Sequence, residues 1–157
     1  MTGTHAPKPV SSEPSSSLYG HDFCAWAEQT AQLLRLGKFS EIDLESLIDE
    51  VEDMSRSEKR ALLSNLRVLL MHLLKYHYQP QKRSNSWLSS IREHRTRLAD
   101  LLHASPSLQG YVQETFARCY QNARKQAADE TGLPLERFPV VSLFTADEAL
   151  DEDFLPQ

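Results

Sequence analysis

Residues 43–80 read DLESLIDEVEDMSRSEKRALLSNLRVLLMHLLKYHYQP, with no Gly and no Pro before the last position. Leu44, Leu47, Ile48 and Val51 recur at spacings of three and four, and so do Leu62, Leu66, Leu69, Leu70 and Leu73. That is the period of a helix with one apolar face, not the alternation of a strand. Between the two stripes lies the polar run DMSRSEKR. One helix over the whole stretch would be ~50 Å long, which is long for a small domain. Two helices parted near Ser55–Ser57 are therefore expected, with Ser57 as the new N-cap. The pattern ends before Gln79–Pro80, because the residue ahead of a proline is pushed out of the α region.

Working outward, QPQKRSNS reads as a turn and Ser86 as the cap of a further helix. That helix carries Trp87, Leu88, Ile91, Leu98, Leu101 and Leu102 on one face and stops near Ala104. Ser105 and Pro106 suit the N-cap and first position of the next helix. Its stripe is Leu108, Val112, Thr115, Phe116, Cys119, Ala123 and Ala127, and Gly132 is its stop. Residues 133–157, LPLERFPVVSLFTADEALDEDFLPQ, should form an extended strap, with Thr145 and Glu148 as the capping box of a short last helix. VVSLF could pass as a strand but has no evident partner. Toward the N-terminus, Asp22 to Leu36 reads as a helix with Phe23, Trp26, Ala27, Thr30 and Leu34 on one face. Gly37 ends it, and Phe39 is expected to tuck inward. The Ser/Pro-rich residues 1–17 should be a disordered tail, unable to bury enough surface to offset the cost of ordering. The expected fold is all-α: a bundle of four to five helices over one domain, 18–157, with an irregular C-terminal strap and a short terminal helix.

Five glycines in 157 residues agree with a helical rather than a turn-rich chain. The net charge of −5 gives no global attraction to nucleic acid. The charge is uneven. Glu41 to Asp53 hold seven acids and no Lys or Arg, and Lys75 to Arg97 hold six Lys/Arg and one acid. Two cysteines, without a C-x-x-C motif, suit a reduced compartment. Neither a secretory leader nor a run of ~18 apolar residues is visible. A cytoplasmic location and no membrane partner are expected.

Several blocks then agree in order and spacing: LLRLGKFSEIDLESLIDEVEDMSRSEKRAL, LLMHLLKYHYQPQKRSNSW, SPSLQGY, ETGLPLERFP and LDEDFLP. Together they resemble the bacterial domain-of-unknown-function-29 family, over roughly Tyr19 to Pro156. The block from His72 through Gln79–Pro80 to Arg83, Ser84 and Trp87 is similar to that family's central signature. Tyr76 stands where a Trp is often seen, and Phe144 where a Tyr is common. The resemblance implies a small all-α bacterial protein and implies no reaction.

His72 and His77 are five residues apart, about 140° around a helix, so they do not converge on one metal. His94 falls on an apolar face and needs a partner there. His72 or an acid of the Glu45–Glu52 region could supply one. Cys24 and Cys119 fall on or beside apolar faces and read as buried thiols. No nucleophile elbow, P-loop or dinucleotide fingerprint is present. No catalytic residue, metal or cofactor is assigned. The candidate binding surface is His72, Tyr76, Arg83, Trp87 and Arg92, with His94 as a buried polar group. Arg83 and its neighbours are expected to pair with the acidic Glu41–Asp53 segment, within one chain or between two. The sequence thus reads as a small non-catalytic interaction module that binds a protein partner or itself. The alternatives are a nucleic-acid-binding accessory protein using the basic residues 82–97, and a metal-dependent enzyme with a His-containing interhelical site.

Overall fold

A computed structural model of the chain describes residues 15–157, with side chains from Leu18 onward. Six α-helices and no strand occur among those residues: α1 Ser15–His21, α2 Phe23–Arg35, α3 Leu44–Tyr78, α4 Asn85–Ala104, α5 Leu108–Thr131 and α6 Ala146–Leu150. The tail expected over 1–17 lies outside the described residues as far as residue 14, and Ser15 to Ser17 stand at the start of α1. No helix among the described residues is long and apolar enough to cross a membrane.

The polar run DMSRSEKR does not break its helix: α3 is continuous from Leu44 to Tyr78. Met, Arg, Glu and Lys are good helix formers, and only Asp53 and the two serines lean the other way. A break would leave backbone donors and acceptors open at two new helix ends. The chain divides between Met54 and Ser55 into two compact units, so the expected domain over 18–157 is described as those two units.

The first unit holds α1, α2, a 3-10 turn at Phe39–Glu41 and the first turns of α3. Asp22 caps α2 by accepting from the Ala25 N–H at 3.0 Å. Gly37 carries the positive φ of +69° that turns the chain away from α2. Asp43 accepts from the Ser46 N–H and from its hydroxyl, at 3.3 and 2.7 Å. Tyr19, Phe23 and Trp26 form an aromatic cluster with ring centroids 4.9 to 6.4 Å apart. The Tyr19 hydroxyl donates to Glu50 at 2.7 Å. Among the described residues of this unit, Trp26 and Thr30 are the buried ones. That is too small a core to receive Phe39, which is 68% exposed rather than tucked inward. Cys24 is also exposed, against expectation. On α2 it stands about 160° around the helix from Trp26, on the side away from the buried Trp26–Thr30 strip.

The second unit has a full core. Leu62, Leu66, Leu69, Leu70 and Leu73 of α3 are all fully buried. They share a cluster with Ile91 and Leu98 of α4, and with Val112, Cys119, Tyr120, Ala123 and Ala127 of α5. The cap of α4 is Ser84, not Ser86, and it accepts from the Trp87 N–H at 3.3 Å. Pro80 opens a 3-10 turn and Arg83 leaves it extended, which delivers an extended Ser84 as the first residue able to cap. Helix α5 starts at Leu108, because Pro106 and Ser107 form a turn closed by the Leu108 N–H on the Ser105 carbonyl. Gly132 ends α5 in the left-handed region at φ +72°. VVSLF forms no strand, and Val140 and Val141 are exposed. The capping box of α6 is present, with both Thr145–Glu148 bonds formed at 3.1 and 2.8 Å. Two buried arginines fasten the strap. Arg95 donates to the carbonyls of Ala149, Glu152 and Phe154, and Arg124 to those of Phe138 and Leu135.

Candidate functional site

The turn between α3 and α4 brings together part of the surface expected from sequence. His72, Lys75 and Tyr76 sit in the last turns of α3, at spacings that place them on one flank. Lys75 ends in a 2.7 Å ion pair with Glu130 of α5. Its ammonium also lies 4.8 Å from the centroid of the Trp87 ring, close enough for cation–π attraction. The pairing holds the Glu130 carboxyl below its usual range, chiefly through the bond from Lys75. Glu130 also accepts from Gln126, which accepts from Arg67. Arg83 stacks 4.1 Å over the Tyr76 ring and donates to the Tyr76 carbonyl at 2.8 Å. It is therefore held by its own turn.

His94 meets Asn65 of α3, with Nδ1 and Oδ1 2.8 Å apart. Neither His72 nor an acid supplies this partner. Burial lowers the pKa of His94, and the Arg97 charge adds to the effect. His72 Nδ1 is buried without a hydrogen-bond partner among the described residues. Desolvation, then the Lys75 charge, pulls the His72 pKa from 6.5 down to about 4, against a smaller opposing effect of Glu130.

The ring of His72 is thus neutral at pH 7, and the folded state resists its protonation. As pH falls below 6.5 the unfolded chain takes up the proton first, so stability is lost between pH 6.5 and about 4 and the loss levels off below. Partial exposure screens the penalty, leaving about 1–2 kcal/mol. His72→Gln should remove that share of the acid slope in urea unfolding at pH 7 and pH 4.5. An unchanged slope would assign it to other groups.

Arg92 does not join this cluster. It projects from another flank of α4 and lines a groove of about 520 Å³ with Leu88, Ile91, Arg95, Glu152 and Leu155. Arg95 and Arg97 also leave the basic surface. Arg95 is 5% exposed and holds the strap, and Arg97 pairs with Glu93 one turn back at 2.8 Å. No group of three or more His, Cys, Asp or Glu among the described residues is placed to hold a metal. Burial pushes the Cys119 thiol up, which makes it a poor nucleophile.

Sequence reasoning missed Lys75, Glu130 and Asn65. The signal for Lys75 was a cation set inside the apolar run LLKYHY. Asn65 was an amide seven residues, two turns, before His72. As an arrangement, the corner is a set of charge and aromatic contacts that lock α3, α4 and α5 in register.

Eight of the twelve large apolar side chains exposed among the described residues lie in the first unit. Leu44, Ile48, Val51 and Met54 of α3 are each between 48% and 67% exposed, and Phe23, Leu34, Leu36 and Phe39 of the same unit are exposed as well. The chain matches the model of a family described as Domain of unknown function DUF29 over residues 18–155. No curated protein and no solved structure matches it.

Proposed function

The chain belongs to the Domain of unknown function DUF29 family, and on that premise we propose that it is a cytoplasmic interaction module that docks another polypeptide on its first unit. One observation carries this reading: residues 18–54 present eight exposed large apolar side chains over a core of Trp26 and Thr30. A unit of that size cannot bury enough surface to be stable by itself. Apolar patches of this kind on a soluble chain mark surfaces that meet a partner. The second unit, with its leucine core and pinned strap, serves as the stable carrier. Two free cysteines suit a reducing compartment. Tyr76, Arg83 and Trp87 keep the carrier's α3–α4 turn rigid in this reading.

The test is affinity capture from the source cells with the full chain and with Ile48→Asp/Val51→Asp. The reading expects a protein that is held by the parent, rebinds when purified, and is lost by at least about tenfold in the variant. Identical capture by both, with the variant folded by circular dichroism, would remove the first unit as a docking surface.

A further inference from the structure

We propose that the partner received by the α3 stripe is a cationic amphipathic helix. This inference rests on the docking reading above and names the chemistry of the occupant. Leu44, Ile48, Val51 and Met54 follow one another at spacings of four, three and three. On a helix at ~100° per residue they span an arc of about 120°. An apolar arc of that width and spacing is the seam that a second helix packs along. An added strand would instead need open backbone donors, and helix α3 has none along its middle.

The rim of the seam is acidic. Glu45 and Glu52 fall beside it on one side, at about 80–100° from Leu44, and Glu50 falls on the other at about 240°. No Lys or Arg occurs between Glu41 and Asp53. The contrast extends to the whole unit: residues 1–54 carry ten acids and three Lys/Arg, and residues 55–157 carry twelve acids and fourteen Lys/Arg. Charge complementarity across a helix pair is set by the residues flanking the seam. A partner with Lys and Arg at those flanks is attracted at long range and paired on contact. Two copies of this stripe would bring two acidic rims together, and like charges held that close cost affinity. The same field repels an anionic membrane surface and a nucleic-acid backbone.

Three labelled peptides with helical propensity test this against the full chain, by fluorescence anisotropy. One has a Leu seam flanked by Lys and Arg, one has the same seam flanked by Glu, and one has the cationic composition with the seam scrambled. The cationic amphipathic peptide is expected to bind at least about tenfold more tightly than either control. Its affinity should fall several-fold between low and high salt. It should also fall about tenfold in Glu45→Lys/Glu52→Lys and in Ile48→Asp/Val51→Asp. Equal binding of the anionic peptide, equal binding of the scrambled peptide, or no binding of any would overturn the proposal. So would a dimer of the parent chain by light scattering that Ile48→Asp/Val51→Asp converts to monomer. That outcome names a second copy as the occupant and leaves the docking reading standing. Loss of the docking reading itself is read separately, in identical capture by parent and variant.

Discussion

Replacing Arg95 by Ala is expected to destabilise the second unit by about 3–5 kcal/mol and to release the strap. The guanidinium is 5% exposed and donates at 2.8 Å to the Ala149 and Phe154 carbonyls and at 3.3 Å to that of Glu152. A hydrogen bond from a charged donor contributes about 1.5–3 kcal/mol, and a buried carbonyl left open costs about 1–3 kcal/mol. The contributions do not add fully, because they share one side chain and a strap that can relax toward water. Arg95→Lys keeps the charge but not the planar fork that reaches three carbonyls at once, so it should recover less than half of the loss. Urea unfolding gives the stability, and limited proteolysis at residues 151–157 reports the release. An Arg95→Ala variant within about 1 kcal/mol of the parent, with an intact strap, would contradict this account of how the C-terminal segment is held.

Arg95 also shows what the sequence could and could not convey. Lys82, Arg83, Arg92, Arg95 and Arg97 read alike as members of a basic stretch. One of them is a buried structural pin, one stacks on Tyr76, and one pairs with Glu93. Which cation is buried depends on where α6 and the strap return in space, and no local pattern records that. Local chemistry was legible wherever it is self-contained. The Asp22 cap, the left-handed Gly132 and the Thr145–Glu148 box each need only a few consecutive residues, and all three are present. The Ser86 cap failed by two residues because the 3-10 turn at Pro80–Lys82 decides where the chain first becomes extended. The break near Ser55–Ser57 failed because a length argument competed with helix propensity, and propensity won. In the candidate site, Arg83 ties directly to Tyr76 and Trp87 is reached by the Lys75 ammonium. Lys75 in turn pairs with Glu130, which comes from α5, 55 residues along the chain.

The two stripes of α3 make the same point. By periodicity, Leu44–Ile48–Val51 and Leu62–Leu66–Leu70 are indistinguishable. Spacing shows that an apolar face exists and is silent about what covers it. One stripe is sealed and the other is open. We assign the buried Leu62–Leu66–Leu70 stripe to folding of the carrier and propose the open Leu44–Ile48–Val51 stripe for the partner.

A pair of truncations on this one helix tests that assignment most directly: Leu70→Ala and Ile48→Ala, compared by urea unfolding of the full chain. Leu70 is fully buried in the shared core. Its truncation loses transfer free energy and leaves a cavity, a cost of about 2–5 kcal/mol. Ile48 is 48% exposed, so its truncation should stay within about 0.5 kcal/mol of the parent. A large loss for Leu70→Ala beside a negligible one for Ile48→Ala is the predicted result. Comparable losses at both positions would mean that the 44–54 stripe already belongs to the folded core, and would contradict its assignment as a surface kept open for a partner.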